Sequence, residues 1–364
     1  MHKEELIGLI NEMPLIIRAV WWSEGEVCWI NTKELPFKEV VRCTSNPVEL
    51  AKAIVGMEIR GAPAIGIAAA LGVAAYAKSL ADSDVEVSEF RDKVLNAIEL
   101  LWRTRPTAHN LFWALNRVRK ALLNSHTVDV VLVANGIINE ALSILREDLE
   151  ANIRMGINGA SLINYGSTIL THCNAGALAT AGYGTVGAVV RVAWRQGKIA
   201  KLITTETRPL LQGARLNVWE YSREGIPITL ITDNMVGYLM RRRLIDAVFV
   251  GADRITREGF VINKIGTYMI ALAAKRHGIQ FYVVAPTSTI DLNSSINEVV
   301  IEERDPDEVR RVMNELLITL PNVPVVNPAF DVTDPDLVTG IVTEKGVLSP
   351  PFEESLRKVS AAEV

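Results

Sequence analysis

The sequence has no metal-ligand spacing, no low-complexity tract, no internal repeat and no basic excess, and each lack removes a class of function. Its 38 Lys and Arg stand against 42 Asp and Glu, leaving a formal net charge of −4 with the two signs interspersed. A protein that grips nucleic acid through its phosphates needs a basic face, so nucleic acid is not an expected partner. A small anionic ligand is still open, because one local cluster of donors holds one phosphate. Only three cysteines occur: Cys28, Cys43 and Cys173. Their spacing matches no zinc motif and an odd number makes a poor disulfide framework, so the simplest expectation is a reducing cytoplasm. The N-terminal MHKEELIGLINEMPLII has acids where a leader has basic residues, and it has no small-residue cleavage site, so no signal peptide is expected. The uncharged run 61–77 has 17 residues rich in Ala and Gly. That length is the lower limit for a membrane span, and the reading adopted is a buried core helix with no membrane partner.

What is there suits a large buried core. Hydrophobic residues make up 49% and charged residues 22% of 364, which suggests two domains and argues against global disorder. The expected fold class is α/β. Residues 15–22, 26–31 and 38–43 read as short strands, and helical periodicity follows over 47–57, 63–80, 86–102, 107–124 and 128–154. The first domain, 1–150, is therefore expected to join a small antiparallel β-sheet to a helical bundle. From about residue 160 apolar strands alternate with helices. Strands are expected at 168–173, 201–205, 228–232, 247–251 and 280–285, and helices at 185–196, 211–223, 234–243 and 264–277. Such alternation implies a parallel sheet with helices on both faces in a second domain, 151–364.

Ligands of such sheets bind at the carboxyl ends of the strands. The residues found there are His172-Cys173-Asn174, then Glu206 to Gly213, Asp233-Asn234, Gly251-Ala252-Asp253-Arg254 and Pro286-Thr287-Ser288. A thiol, carboxylates and amides thus gather at one edge although they are far apart in sequence, which argues for an enzyme. Taken locally, Cys173 reads equally as a small buried hydrophobe and as a thiolate favoured by a nearby helix N-terminus. Asp253 alone reads as a strand-exit cap; beside Cys173 it reads as a general acid/base. Gly182-x-Gly184-x-x-Gly187, with Glu206 about twenty residues later, matches the dinucleotide fingerprint literally. The true fingerprint follows its strand at once, so a nicotinamide dehydrogenase is only an alternative. Arg60-Gly61-Ala62-Pro63 and Arg103-Thr104-Arg105-Pro106-Thr107 are helix starts able to hold a phosphate or simply to turn the chain. Asn263-Lys264 is expected to open a helix, with Lys264 reaching a substrate oxyanion or pointing to solvent. His172 and His109 read as supporting groups.

Laid out in order, these residues resemble the S-methyl-5-thioribose-1-phosphate isomerases of methionine salvage, within the initiation-factor-2B-like sugar-phosphate isomerases. The matching stretches are MEIRGAPAIGIAAALG at 57–72, RPTAHNLFWALNR at 105–117, THCNAGALATAGYGTVG at 171–187 and ETRPLLQGARL at 206–216. TDNM at 232–235, VGADRI at 250–255, NKIGTY at 263–268, FYVVAPTSTIDL at 281–292, IEER at 301–304 and NPAFDVT at 327–333 complete the set. The resemblance implies a C-terminal Rossmann-like domain, a homodimer in the cytoplasm, and aldose–ketose isomerisation of 5-methylthioribose 1-phosphate without metal or nucleotide cofactor. It implies that Cys173 is the catalytic thiol and Asp253 the proton donor. Arg60, Gly61, Ala62, Arg105, Gln212, Asn263 and Lys264 are implied to bind substrate. Three departures occur: Asn31 to Pro36 where an Asp-Gln pair is usual, His109 where a small apolar residue is usual, and Asn217-Val218 where Thr-Ala is typical. A ribose-1,5-bisphosphate isomerase and a non-catalytic exchange-factor-like regulatory subunit are the alternatives within the fold.

Overall fold

The computed structural model describes residues 15–105, 109–313 and 315–361. The leader reading of the N-terminus and the Pro106-Thr107 part of the second basic turn lie outside them. The chain divides into two compact units, Met1–Ala151 with Ala177–Gly184, and Asn152–Gly176 with Thr185–Val364.

In the first unit, β1 (Val20–Ser23), β2 (Glu26–Ile30) and β3 (Val41–Thr44) form an antiparallel sheet in sequence order. The β1–β2 hairpin closes through Glu24 and Gly25, both at positive φ, which matches the twist of the flanking strands. Five helices follow: α1 (Pro47–Val55), α2 (Ala62–Ala81), α3 (Val87–Trp102), α4 (His109–Asn124) and α5 (Val130–Ala160), whose residues 152–160 belong to the second unit. Asn46 caps α1, its side chain accepting the Val48 N–H at 2.9 Å, and Pro47 fills a position that needs no donor. Among the described residues, α2 alone has the length and apolarity to cross a bilayer, and 78% of its most apolar window is buried inside the protein. It is apolar all round because it is the central helix of the core. Gly66 lets α4 approach, since a Cβ there would lie 2.6 Å from the Asn110 carbonyl oxygen. Leu71 of α2 shares one core with Leu50, Ile54, Phe90, Leu101, Leu111 and Leu115, all fully buried.

One sequence expectation fails in the small sheet. Cys28 on β2 stands directly opposite Cys43 on β3, and the two form a disulfide; Cys173 is the free cysteine. Cysteine parity misled because a cross-strand pair needs only its two members in register, whatever a third cysteine does. The bond removes the argument for a reducing compartment. It does not specify another, since intracellular proteins of hyperthermophiles also carry disulfides.

The second unit is built on a seven-stranded sheet. Its strands are β4 (Ser167–Thr171), β5 (Ile199–Thr205), β6 (Ile228–Ile231), β7 (Ala247–Val250), β10 (Gln280–Val284), β15 (Gly340–Thr343) and β16 (Gly346–Leu348). The spatial order is β16-β15-β10-β7-β4-β5-β6, parallel except for the antiparallel edge strand β16. Both faces are covered, which explains the unbroken apolar strands: all four residues of β7 are buried. Connecting helices include α6 (Val186–Arg195), α7 (Val218–Arg223), α8 (Val236–Arg241) and α9 (Thr267–His277). The fold class is the expected α/β, a parallel-rich sheet with helices and a separate small antiparallel sheet. Unanticipated was a second sheet beside it, ordered β11-β8-β9-β14, from β8 (Arg254–Thr256), β9 (Val261–Lys264), β11 (Ile290–Asp291) and β14 (Phe330–Thr333).

Candidate active site

β4 and β7 are neighbours, with Leu170 in register with Val248. Cys173 leaves the carboxyl end of β4 and Asp253 that of β7, so the thiol and the carboxyl depart from adjacent strands, about 5 Å apart in a sheet, on one edge. The Asp253 N–H donates to the Ile262 carbonyl at 2.9 Å, which fastens the acid to β9.

Cys173 is 7% exposed and takes φ +61°, a conformation that costs a non-glycine residue about 1–3 kcal/mol and persists only where its surroundings hold it. They do so on both sides. Its N–H donates to Thr207 Oγ1 at 2.9 Å, and its carbonyl accepts from Asn217 Nδ2 at 2.6 Å. The second Asn217 Nδ2 hydrogen goes to Thr204 Oγ1 at 2.8 Å, and Asn217 Oδ1 accepts from Asn174 Nδ2 at 2.8 Å. Asn174 also donates to Glu220 Oε1 at 2.8 Å, and Arg191 pairs with both Glu220 and Glu224. Burial opposes the charge on Arg191, but its bond to Glu224 and the two carboxylates raise its pKa and keep it a cation. The thiol loop thus rests on a buried polar network with its donors used. Sequence reading expected a helix N-terminus close behind Cys173. That helix, expected from residue 185, starts at Val186, with a short turn of 3₁₀ helix at Ala177–Ala179 before it.

The β5 loop is held the same way. Thr207 sits at φ +63°, and Asp233 accepts its N–H and that of Arg208, both at 2.8 Å. Burial, and then the negative charge of Asp233, raise the pKa of Glu206 beside it. Gln212 is 3% exposed and its buried Oε1 has no hydrogen-bond partner in the protein. Buried polar atoms are nearly always satisfied, so this acceptor is open to a donor from outside the protein, a water or a ligand hydroxyl. Gly213 follows because any Cβ there would lie 1.7 Å from the Thr205 carbonyl oxygen.

Asn263 and Lys264 were expected to open a helix. They are instead the last residues of β9, paired with Asp331 and Phe330 of β14; α9 starts at Thr267. The helix period had been carried too far back, across Gly266, whose φ of +102° ends the strand. Both side chains are buried: Asn263 Nδ2 donates to Thr267 Oγ1 at 3.0 Å, and Lys264 Nζ lies 5.0 Å from the centre of the Phe330 ring.

Arg60, Gly61, Ala62 and Arg105 belong to the first unit. Gly61 has φ +95° and no room for a Cβ, which would meet Ala179 Cα at 2.6 Å. The turn before it is fixed by Glu58, which takes the Trp29 Nε1 proton at 3.1 Å and an ion pair from Arg42 at 3.0 Å. Arg105 Nη1 lies 3.0 Å from Met57 Sδ. Arg60 and Ala62 are buried at the start of α2, and His109 opens α4. Among the described residues no group of His, Cys, Asp and Glu forms a metal site.

The family model described as the initiation factor 2 subunit family matches residues 58–350. The chain belongs to that family. It is 49% identical over 346 residues to the methylthioribose-1-phosphate isomerase of Carboxydothermus hydrogenoformans, covering 94% of this chain and 98% of that one. Its structure matches the crystal structure of 5-methylthioribose 1-phosphate isomerase from Pyrococcus horikoshii with a TM-score of 0.89 at 45% identity, over 100% of this chain and 99% of that one. It also matches a structure titled translation initiation factor eIF-2B, subunit delta, from A. fulgidus, with a TM-score of 0.84 at 44% identity over 94% and 99%.

Sequence reading missed Thr207, Asp233 and Asn217 as supports of the Cys173 loop, and Asp331 as the acceptor of the Gly266 and Tyr268 amides in the turn after Lys264. All four lie in or beside stretches that were quoted, but nothing in a linear pattern says that a Thr on one strand end takes the amide of a Cys on another.

Proposed function

We propose that this chain is an aldose–ketose isomerase that converts 5-methylthioribose 1-phosphate to 5-methylthioribulose 1-phosphate in methionine salvage. The observation that carries the reading is the exit of Cys173 and Asp253 from adjacent parallel strands on one edge. The full-length likeness to proteins named for this reaction supports it. An aldose phosphorylated at C1 cannot open by ordinary hemiacetal loss. In the proposed reaction Asp253 protonates the ring oxygen and the ring C–O bond at C1 breaks. Hydrogen then moves from C2 to C1 while the C2 hydroxyl loses its proton and becomes the ketone. Cys173 serves as the base in a proton relay, or it stabilises a cationic centre during a hydride shift. Arg60, Arg105, Lys264 and the Gly61–Ala62 amides neutralise the phosphate, and Asn263 and Gln212 hold sugar hydroxyls. The proposal includes a homodimer working in the cytoplasm.

Turnover of 5-methylthioribose 1-phosphate in deuterated water tests this directly. A ketose product supports the reading, and deuterium at C1 distinguishes relay from hydride shift. Turnover of ribose 1,5-bisphosphate alone would transfer the assignment to that substrate. The likeness to a structure titled as an initiation-factor subunit keeps a non-catalytic reading in view. Co-purification with initiation-factor subunits and no isomerase activity would establish it.

A further inference from the structure

We infer that His172 is a positioning residue that ties the Cys173 loop to the Lys264 loop through one directed chain of hydrogen bonds. The inference rests on the isomerase reading for its effect on turnover, but the chain itself is geometric. His172 is 1% exposed. Its Nε2 lies 2.9 Å from the Ile265 carbonyl oxygen, which only accepts, so Nε2 carries the proton. Nδ1, 2.6 Å from Thr205 Oγ1, must then accept the Thr205 hydroxyl proton. With its proton so used, Thr205 Oγ1 accepts from the Thr207 hydroxyl at 3.1 Å, shorter than the 3.4 Å from that hydroxyl to the Thr205 carbonyl. Thr207 Oγ1 in turn accepts the Cys173 N–H at 2.9 Å. Every hydroxyl has one direction, fixed from the imidazole end, and the far end is the amide of a residue held at φ +61°.

Three further observations fit. Gly266 leaves room for the ring, since a Cβ there would lie 3.2 Å from His172 Cε1 and Nε2. The same turn is held from its other side by Asp331, which accepts the Gly266 N–H at 2.7 Å. Burial also lowers the pKa of His172, which keeps the ring in the neutral form that the chain requires. A catalytic base would need a free nitrogen facing substrate. His172 has none, because both nitrogens are used within the protein, and its effect passes through Cys173 and Lys264.

The test uses the full chain with Thr205→Val, Thr205→Ser, His172→Phe and the double variant Thr205→Val/His172→Phe. Removing a link is expected to lower kcat about tenfold to a hundredfold with KM within about twofold, as when a supporting bond of a reacting group is lost. The Ser variant keeps the hydroxyl and should recover most of the loss. The double variant should be no worse than its poorer single, because both break one chain. Wild-type kcat in folded Thr205→Val, or losses that multiply in the double variant, would overturn the inference. If His172→Phe does not fold, the Val and Ser variants at 205 decide alone. The rate of Cys173 alkylation by iodoacetamide gives a readout independent of the reaction assignment, since Cys173 is the free cysteine. A change of about fivefold or more in Thr205→Val, reversed in Thr205→Ser, supports the inference even if the wild type isomerises neither sugar phosphate; an unchanged rate in that case counts against it.

Discussion

The two units bury different things. The first hides a mostly aliphatic interior: α2 is almost all Ala, Gly, Ile, Leu and Val, and the fully buried residues around it include Leu50, Phe90, Val94 and Val118. The second also has an apolar sheet, but its carboxyl edge buries His172, Asn174, Thr204, Thr205, Thr207, Asn217 and Glu220. Burying a polar group without a partner costs about 2–7 kcal/mol, so a fold places so many in one spot only if each is bonded. The first unit therefore holds itself together by packing, and the second uses part of its interior to hold a strained cysteine loop. The largest expected effect separates these roles. Phe90→Ala leaves a cavity in the first unit and should lower stability by about 3–5 kcal/mol, while kcat well below the melting transition stays near wild type. Urea unfolding and steady-state kinetics on the same variant check both halves, and a large loss of kcat at full stability would erase the contrast.

The reverse pattern is expected at the edge of the second unit. Cys173→Ala and Asp253→Asn should each lower kcat by about a hundredfold or more, equivalent to about 2.7 kcal/mol of barrier. Cys173→Ala should change the melting temperature little, because Ala keeps the N–H and carbonyl that bond to Thr207 and Asn217. Because Ala keeps the Cβ, the φ of +61° stays as costly in Cys173→Ala, and a rise in stability would mean that burying the native thiol carries its own cost. Unaltered turnover in either variant would remove that residue from the proposed chemistry.

How far the sequence could be read follows the same division. Strands and helices with strong apolar periodicity were legible: 63–80 was expected for a helix observed at Ala62–Ala81, and 280–285 for a strand at Gln280–Val284. Those signals come from one face of one element, which a linear pattern contains. The sheet edge was also legible as a list, since Cys173 and Asp253 follow apolar runs. What was not legible depends on pairing across the chain. β9 and β14 recognise each other over 65 residues, as between Gly266 and Asp331, so the Lys264 segment looked like the start of its helix. The disulfide was missed for a like reason, since only the β2–β3 register brings Cys28 against Cys43. Thr207 was quoted within a motif with no hint that its hydroxyl takes the Cys173 amide.

The disulfide offers a smaller test on the packed side of the comparison. It closes a loop of 15 residues between neighbouring strands. Cys43→Ser should lower stability by about 2 kcal/mol, by releasing loop entropy in the unfolded chain. The effect should appear in urea midpoints and be matched by reduction of the wild type. An unchanged kcat is the sharper outcome, because β3 also supplies Arg42, which holds Glu58 three residues from Gly61. A fall in kcat with little loss of stability would show that this sheet positions the Arg60 turn as well as closing the core.

The smallest effect concerns pH and the edge itself. Burial is the largest influence on Asp331, and it pushes the carboxyl up to about 6 against the amides of Tyr268 and Gly266 and the charge of Lys264. The unfolded carboxyl titrates near about 3.9, so between about pH 4 and pH 6 the folded protein keeps a proton that the unfolded chain has released. Stability contributed by this group is therefore full at the acid end and falls as pH rises through that window, by about 3 kcal/mol before the opposing histidine effect is counted. His172 has the opposite sign. Burial lowers its pKa, so below about 6.5 the unfolded chain takes up a proton that the folded ring refuses, and stability falls as pH drops. The two groups hold one turn from opposite sides and partly cancel in the wild type. Asp331→Asn should isolate the histidine slope: the stability difference between wild type and variant, from urea midpoints, should favour the wild type more at pH 4 than at pH 7. A difference that is flat, or larger at pH 7, would mean that the Gly266 and Tyr268 amides keep Asp331 charged throughout, and that the edge of the second unit is held by charge rather than by a proton.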